Sequence, residues 1–354
     1  MSALGDASGR VVPVDAVAGA AARTLYDRLT KPPGSLGRLE DIGAQLSAIS
    51  GKCPPPIPDP ATVAVFAGDH GVLAEGISPW PQEVTAQMVA NFGAGGAAVN
   101  VLSKQVGAGV VVVDVGVAAD LAEFPGLRRS KVRPGTANLA KGPAMSEAEA
   151  LAALDVGASL AAELAAGGTR CLLTGDMGIG NTTPSAALIA VLCQRPGAEV
   201  TGRGTGIDDE RMIRKIEIVE RAVERANEEG PSTPVQLLAS IGGLEIAALA
   251  GYIIGGSAAG LPVLLDGVIA LAGAVVAAAI VPDSVGYMIA GHRSTEPGAT
   301  AALGHLGLDP LLDLGMRLGE GTGACLALPV LQSAARVVRE MATFDAAGVS
   351  ERPA

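Results

Sequence analysis

The sequence has few aromatic residues, few basic residues and no long apolar run, and each scarcity excludes a class of protein. Aromatic residues make up 2% of the 354 residues, and 25 Lys and Arg stand against 36 Asp and Glu, a formal net charge of −11. Proteins that bind nucleic acid rely on basic surfaces and stacking aromatics, so we expect no nucleic-acid partner. The most membrane-like run, Val268 to Val281, is shorter than the roughly 20 residues of a membrane-spanning helix. It predicts a buried core helix, and we expect no membrane association.

Cysteine is also scarce, and its positions predict neither disulfides nor a metal site. Cys53, Cys171, Cys193 and Cys325 have no paired spacing and form no cluster of the metal-binding type. Three of them lie in an apolar context, which is typical of buried free thiols in a reducing compartment. The N-terminus has no signal-peptide pattern of charged and then apolar residues. We therefore expect a cytoplasmic protein.

The apolar residues are abundant, at 49% of the chain, and their pattern predicts an α/β fold. Short β-branched runs alternate with Ala-rich helical stretches, which is typical of a parallel sheet covered by helices on both faces. A doubly wound, mainly parallel sheet is expected. The predicted strands are Thr62 to Phe66, Val110 to Val115, Cys171 to Thr174, Val263 to Leu265 and Val285 to Ile289.

Prolines and glycines divide the chain into three segments. Residues 1–50 are predicted to be mainly helical, with a rigid turn from Lys31 to Gly37. Five prolines between Cys53 and Pro60 exclude a helix or a central strand, so we place a boundary there. We predict helical residues 1–58, an α/β domain over 59–307 and C-terminal helices over 308–354. The last segment is predicted to form two helices from Leu308 to Phe344, separated by the glycines around Glu320.

A glycine-rich stretch from Arg170 to Thr183 predicts a strand, a loop and the start of a helix. Gly175, Gly178 and Gly180 permit close approach of a ligand to the main chain, and Thr182 or Thr183 can cap the helix before Pro184. A helix N-terminus attracts anions, so phosphate is the expected guest. Asp176 would repel phosphate unless it faces another part of the ligand. A tight turn without any ligand is an equally open interpretation.

A second glycine loop, Gly202 to Gly206, precedes a helix that Asp208 or Asp209 can cap. Spacings of three and four residues predict a buried stripe on this helix, formed by Met212, Ile216, Val219, Val223 and Ala226. Lys215 lies beside the stripe and one turn from the helix start, close enough to reach an anion at the loop. A solvated lysine is the equally open alternative.

Polar residues follow every predicted strand, and ligands of open parallel sheets bind beyond the carboxyl ends of the strands. The expected rim contains Asp69, His70, Asp114, Asp176, Asp266 and His292. Taken singly, each is better explained as a capping carboxylate or a hydrogen-bonded histidine. Glu320 lies between glycines at a helix junction, where it could act as a base in a cleft or serve the N-terminus of the following helix.

Nine segments across most of the chain carry distinctive motifs. The segments are KPPGSLGRLE from Lys31, GDHGV from Gly68, SPWPQEVTAQM from Ser78, NFGAGGAAVN from Asn91, DVGV from Asp114, GDMGIGNTTPSAA from Gly175, GRGTGID from Gly202, LPVLLDG from Leu261 and MRLGEGTGA from Met316. Taken together, and in this order, they resemble the nicotinate-nucleotide:dimethylbenzimidazole phosphoribosyltransferase family.

The resemblance implies a large doubly wound domain, a small helical domain built from both chain ends, and a homodimer. It also implies transfer of the phosphoribosyl group of nicotinate mononucleotide to 5,6-dimethylbenzimidazole in cobalamin synthesis. Glu320 matches the family's general base. Asp176 matches a position that is usually Glu, and its shorter side chain leaves its direct contact with the ribose open.

The remaining site residues follow from the same resemblance and from the two loops. The candidates for the phosphate and ribose are Gly175, Gly178, Gly180, Asn181, Thr182, Gly202, Arg203, Gly204 and Lys215, and those for the benzimidazole are Ser78, Pro79, Trp80, Gln82 and Met88. Trp80, the only tryptophan, could stack on the base or anchor its own loop. No metal and no cofactor are expected, because no diphosphate leaves and no metal-ligand spacing occurs.

Two other functions compete with this interpretation. A nucleotide-dependent dehydrogenase is disfavoured because the loop from Gly175 lacks the GxGxxG order and has no acidic residue about 20 positions further on. A non-catalytic nucleotide or benzimidazole binder is disfavoured by the presence of Glu320, although a sequence does not report turnover.

Overall fold

The computed structural model describes residues 2–350, which contain one six-stranded sheet in which every neighbouring pair is parallel. The strands are β1 (Ala61–Gly68), β2 (Gly109–Gly116), β3 (Leu127–Arg129), β4 (Cys171–Met177), β5 (Val263–Leu265) and β6 (Met288–Ala290). Their order across the sheet is β3-β2-β1-β4-β5-β6, so the winding reverses between β1 and β4. This is the order of a doubly wound fold, and it confirms the predicted class.

The predicted strands are present, with two differences at the edges of the sheet. The last prediction, Val285 to Ile289, is wrong in its first half, because Pro282–Tyr287 forms a 3₁₀ helix and β6 begins at Met288. The edge strand β3 was not predicted. Its three residues are Leu-Arg-Arg, and they give no apolar run that could indicate a strand.

Helices cover both faces of the sheet. Successive side chains of a strand point to opposite faces, and here both faces carry apolar side chains that the helices bury. Ala64 and Phe66 of β1 join one hydrophobic cluster, and Val63 and Val65 join the other. The helices are α1 (Ala3–Ser8), α2 (Ala16–Arg28), α3 (Arg38–Ser50), α4 (Glu83–Ala94), α5 (Ala98–Val106), α6 (Glu147–Ala166), α7 (Thr182–Leu192), α8 (Gly197–Val200), α9 (Asp209–Glu229), α10 (Pro234–Ile241), α11 (Leu244–Ala258), α12 (Val268–Ile280), α13 (Pro297–Leu306), α14 (Thr322–Glu340) and α15 (Phe344–Ala347). Helix α12 is the predicted buried core helix. None of the helices in residues 2–350 has the length and apolarity to cross a membrane.

Helices from the two ends of the chain pack against each other. Helix α14 contacts both α2 and α3. The hydroxyl of Tyr26, which is fully buried on α2, donates to the carbonyl of Ala334 on α14 at 2.9 Å, and Leu29 forms a backbone bridge with Thr343. Helices α3 and α14 also contribute to the hydrophobic cluster that contains Val63 of the sheet. The domain boundaries after residues 58 and 307 stay a prediction, and Met1 and residues 351–354 of the predicted segments lie outside the described residues.

The C-terminal segment differs from its prediction before the glycines. Residues 308–319 form no helix, and helical structure resumes only in α14 at Thr322. Pro310 and Gly315 disfavour a helix there, and the segment is held by other contacts. The Arg38 guanidinium donates to the carbonyls of Asp309 and Pro310, each at 2.6 Å, and Leu312 forms a parallel bridge with His292. This extended path carries residues 317–320 to the carboxyl ends of the strands.

Candidate active site at the carboxyl ends of the strands

Two adjoining clefts lie beyond the carboxyl ends of the central strands. The inner cleft is bordered by both glycine loops, Lys215 and Glu296. The outer cleft is bordered by Trp80, Met88 and Glu320. A larger set of residues borders both: Asp176, Gly178, Ile179, Asn181, Thr205, Arg317 and Leu318. One ligand can therefore occupy the inner cleft while a second meets it from the outer cleft.

The first glycine loop joins β4 to α7, and its glycines have different roles. A Cβ on Gly178 would lie 2.3 Å from the carbonyl oxygen of Gly68, and Gly180 has a φ of +93°. Both residues border the inner cleft, as do Asn181 and Thr182. Gly175 borders neither cleft. It is buried within β4, and a Cβ there would lie 2.7 Å from the carbonyl oxygen of Glu320.

The helix after this loop has a different N-terminus from the one predicted. The N-cap position is Asn181, and neither Thr182 nor Thr183 caps the helix, because α7 has already begun at Thr182. The Asn181 side chain makes no bond to the first turn, since its amide donates to the Asp176 carboxyl at 2.9 Å. The buried Thr183 hydroxyl also has no partner. The first turn of α7 thus faces the inner cleft without a capping side chain, which suits an anionic ligand.

Lys215 lies inside the protein, 2% exposed, at the base of the inner cleft. Its ammonium donates to the hydroxyl of Thr182 and to the carbonyl of Gly202, each at 2.8 Å. Burial lowers the pKa of Lys215 to about 8, although the nearby Glu296 carboxylate opposes this effect. The alternative of a solvated lysine is therefore wrong, and Lys215 links the two glycine loops.

The buried face of α9 is rotated from the predicted stripe. Val219 and Ala226 are buried as expected, whereas Met212, Ile216 and Val223 are half-buried. Lys215, Ile218 and Ala222 complete the buried face in their place. Asp208 caps the helix through the Arg211 amide at 2.8 Å, as predicted. The rotation is what turns Lys215 inward.

The second glycine loop is fixed by two charged side chains that the sequence did not identify. The Glu296 carboxylate accepts from the Gly204 amide at 2.8 Å, and a Cβ on Gly202 would lie 2.1 Å from the same carboxylate. Arg317 donates to the Gly204 carbonyl at 2.6 Å and borders both clefts. Arg203 borders the inner cleft, but its guanidinium is paired with Asp209.

Glu320 borders the outer cleft, next to Gly319 of the inner cleft, and its backbone has a conformation that residues other than glycine rarely adopt. Its φ is +65°, and those of Gly319 and Gly321 are +85° and +92°. A left-handed conformation costs a residue other than glycine about 1–2 kcal/mol. The side chain is 6% exposed, and its Oε2 atom is buried without a hydrogen-bond partner. An unpartnered carboxylate oxygen beside a cleft is available to accept a proton or a hydrogen bond from a ligand.

The two candidate catalytic carboxyls have raised pKa values. Burial, reinforced by the charge of Asp266, raises the pKa of Glu320 to about 7. Burial also raises the pKa of Asp176 well above its ordinary range, and the negative charge of Asp266 acts in the same direction. The Oδ1 atom of Asp176 is buried without a partner. Glu320 is therefore close to its titration at neutral pH and can act as a base, whereas burial favours the neutral form of Asp176.

The other residues of the predicted rim are turned into the protein and border neither cleft, with one exception. Asp69 accepts from the Ala118 amide at 2.7 Å, and Asp114 accepts from the Val117 amide at 2.9 Å. His70 forms a fully buried pair with Glu245 at 2.7 Å. These three residues follow the alternative interpretation of capping carboxylates and a hydrogen-bonded histidine. The exception is His292, which borders the inner cleft.

The segment predicted to hold the base is only partly at the outer cleft. Trp80, 51% exposed, and Met88 border the outer cleft, together with the unpredicted Val84 and Met177. Ser78 borders the inner cleft instead, and its hydroxyl accepts from the Trp80 amide at 3.1 Å. Pro79 and Gln82 are exposed and border neither cleft.

The residues that sequence reasoning missed differ in how well they could have been found. Arg317 stands three positions before Glu320 within the MRLGEGTGA segment, so its proximity to Glu320 was a usable signal. Glu296 gave no such signal, because it reaches the Gly202 loop from α13 across a large sequence separation.

The structure also locates the cysteines and bears on metal binding. In the described range, 2–350, His, Cys, Asp and Glu side chains form no group of three or more that could hold a metal ion. Cys171 and Cys325 are buried free thiols, Cys193 is half-buried and Cys53 is exposed.

Comparison with known proteins gives one consistent result. A family model described as "Phosphoribosyltransferase" matches residues 11–349. The nicotinate-nucleotide–dimethylbenzimidazole phosphoribosyltransferase of Salinispora tropica is 56% identical, over 96% of this chain and 97% of the relative. The enzyme of the same name from Chloroflexus aurantiacus is 50% identical, over 97% of each chain.

A solved structure with the same name is similar in fold as well as in sequence. The crystal structure of the Thermus thermophilus protein superposes with a TM-score of 0.91 at 48% identity, over 96% of this chain and 100% of that one. The matches span nearly the whole chain, and their sequence identities are high enough to show the family as well as the fold. The resemblance found in the sequence is thus confirmed, and the chain belongs to the nicotinate-nucleotide–dimethylbenzimidazole phosphoribosyltransferase family.

Proposed function

We propose that this chain transfers the 5-phosphoribosyl group of nicotinate mononucleotide to 5,6-dimethylbenzimidazole. The products are nicotinate and α-ribazole phosphate, in the synthesis of the nucleotide loop of cobalamin. The relatives bear the name of this activity. The observation that carries the proposal is the buried, unpartnered carboxylate oxygen of Glu320, which borders a largely apolar cleft that adjoins an anion-accepting one.

The inner cleft suits the nucleotide. The protein carries a net charge of −11, so an anionic substrate needs local attraction rather than the overall field. The first turn of α7 and the Lys215 ammonium supply that attraction at one end. The Asp176 carboxyl borders the same cleft next to Gly319, and it suits ribose hydroxyls rather than phosphate. The phosphate therefore binds near Lys215, and the ribose lies towards Glu320.

The outer cleft suits the benzimidazole. Trp80, Val84, Met88, Met177 and Leu318 give it an apolar border, and Trp80 offers a flat ring for stacking. A mainly apolar cleft discriminates by only about 1–3 kcal/mol per methylene. Related benzimidazoles and purines are therefore expected as alternative substrates.

The chemistry needs one proton acceptor. The bond between C1′ of the ribose and the pyridinium nitrogen breaks, and nicotinate leaves without protonation because its ring nitrogen takes the bonding electrons. A benzimidazole nitrogen attacks C1′, which carries oxocarbenium character in the transition state. The N–H proton of the substituted benzimidazole passes to the Glu320 carboxylate. A positioned base contributes about 10²–10⁴-fold to such a step.

The test is a product assay with nicotinate mononucleotide and a panel of benzimidazoles, phenols and purines. Release of nicotinate together with a riboside phosphate of the added base supports the transfer reaction. Binding of both ligands without nicotinate release would support the non-catalytic binder instead. Nicotinate release with free ribose 5-phosphate, whatever base is added, would indicate hydrolysis rather than transfer.

We propose in addition that the protein is a cytoplasmic homodimer with domain boundaries near residues 58 and 307. The family resemblance supports the dimer, and the unpaired cysteines support a reducing compartment. Light scattering of the purified protein tests the dimer. Limited proteolysis tests the boundaries, since cleavage in the proline-rich stretch at 53–60 is expected before cleavage within the α/β domain.

A further inference from the structure

Asp266 directly follows β5, is 0% exposed and borders neither cleft. Its carboxylate accepts three backbone hydrogen bonds from the start of α14. The donors are the amides of Gly321 at 3.0 Å, Gly323 at 2.7 Å and Ala324 at 3.1 Å. One of these amides belongs to the residue after Glu320, and the other two lie in the first turn of the helix.

We propose that Asp266 is the positioning residue for Glu320. By holding the start of α14, it keeps the Glu320 carboxylate at the junction of the two clefts. The inference rests on the proposed function, because it assigns Asp266 to the same reaction. Asp266 does not touch either cleft, so its effect on catalysis passes through Glu320.

The hinge around Glu320 needs such an anchor. Three consecutive residues, from Gly319 to Gly321, have positive φ values, and two of them are glycines with access to many other conformations. The N-cap residue of α14 is Gly321, which has no side chain to cap the helix. The Asp266 carboxylate supplies the missing cap from another element of the fold.

Asp266 is itself held from two sides. Its backbone amide donates to the Thr174 hydroxyl of β4 at 2.9 Å. The His292 ring lies 3.6 Å from the Asp266 carboxylate and closely against the helix start, since a Cβ on Gly323 would lie 1.9 Å from that ring. The sheet therefore transmits its rigidity through Asp266 to the start of α14.

The Asp266 charge gives a signature that a merely structural residue would not have. Asp266 and Asp176 act on Glu320 through their charges, His292 lies against Asp266, and Arg317 borders the same outer cleft as Glu320. The negative charge of Asp266 raises the pKa of Glu320. Replacement of Asp266 by Asn removes this charge and places an amide group against backbone donors that need an acceptor. We expect it to displace Glu320 and to lower the pKa of Glu320 at the same time.

The experiment compares Asp266→Asn with Asp114→Asn, a buried carboxylate that caps a backbone amide at another strand end and borders neither cleft. In Asp266→Asn, kcat at the high-pH plateau falls about 10²-fold, while KM for nicotinate mononucleotide stays within about twofold. The acid limb of its kcat profile moves to lower pH. Asp114→Asn changes neither quantity. A plateau kcat and acid limb in Asp266→Asn that match those of Asp114→Asn would overturn the inference.

Hydrogen exchange gives a second readout that needs no turnover. The Gly321, Gly323 and Ala324 amides exchange slowly in the wild type and at least about tenfold faster in Asp266→Asn. If Asp266→Asn does not fold, hydrogen exchange in the wild type alone still tests the inference. Helix α13 has no side-chain cap, so first-turn exchange in α14 as fast as in α13 would refute the anchor. Wild-type protein that releases no nicotinate would refute the proposed function alone, whereas these exchange rates test Asp266 separately.

Discussion

Replacement of Glu320 by Gln is the substitution whose consequences the structure defines best. Gln keeps the size of the side chain and its hydrogen-bonding reach but cannot accept a proton at neutral pH. The buried, unpartnered Oε2 atom is the only atom of the side chain that the mechanism uses. We therefore expect kcat to fall about 10²–10⁴-fold, while the dissociation constant of nicotinate mononucleotide changes little.

The pH profile of the wild type tests the same carboxylate independently. A base with a pKa of about 7 is about one-tenth ionised one pH unit lower, so kcat falls about tenfold for each unit below neutrality. An ordinary glutamate would keep its activity down to about pH 5. The assay is nicotinate release under saturating substrates, with Glu224→Gln as the control, because Glu224 is exposed on α9.

Glu320→Gln is expected to lower kcat but to raise the stability of the folded protein at high pH. A carboxyl whose pKa is raised in the folded state stabilises the fold below its unfolded pKa, and this contribution disappears as the pH rises through about 7. Well above neutrality, the ionised Glu320 thus lowers the free energy of unfolding by up to about 3 kcal/mol, and an uncharged Gln avoids this loss. Glu320→Gln should raise the melting temperature above pH 8 and have little effect near pH 5. Turnover of Glu320→Gln within about threefold of the wild type would refute the role of Glu320 as sole base. A melting temperature above pH 8 that this substitution does not change would show that the folded state does not bury an ionised Glu320.

Three other substitutions separate the parts of the site. Lys215→Met is expected to weaken nicotinate mononucleotide binding about tenfold or more but to leave benzimidazole binding unchanged. The affinity of the wild type for the nucleotide should also fall as the pH rises through the Lys215 pKa of about 8. Calorimetry measures both affinities, with Lys104→Met as the control because Lys104 is exposed. Trp80 is the only tryptophan, so dimethylbenzimidazole that stacks on it should quench the tryptophan fluorescence of the protein. Trp80→Ala should weaken binding of the base by about 1–2 kcal/mol. Fluorescence that does not respond to the base would exclude stacking. Asp176→Asn should keep kcat within about threefold because burial favours the neutral carboxyl, which an amide resembles, and a loss of about 10²-fold would show that Asp176 works as an anion.

The fold and the family were accessible from the sequence because they depend on local patterns. The β-branched runs of β1 and β2 are largely buried on both faces, so their composition distinguishes them from the Ala-rich helices. The glycines around Glu320 indicated an unusual backbone, and the positive φ values are the physical reason for them. The nine ordered segments then identified the family.

The parts that failed depend on contacts between distant residues. Pro310 and Gly315 disfavour a helix in residues 308–319, but the extended path that the segment takes instead depends on distant contacts with Arg38, Ala290 and His292. The buried position of Lys215 follows from a rotation of α9 that its own apolar spacing did not reveal. The roles of Glu296 and Asp266 depend on backbone amides far away in the chain, and those amides have no side-chain signature.

The close approach of Gly175 to Glu320 has a consequence for engineering. A methyl group at position 175 would lie 2.7 Å from the Glu320 carbonyl oxygen, so no other residue can occupy this position of β4 unless the hinge moves. A chimaera that takes β4 from one homologue and its C-terminal segment from another therefore needs glycine at this position in the parent that supplies β4. Libraries that diversify the outer cleft for other bases can target Val84 and Met88, but they must keep glycine at position 175.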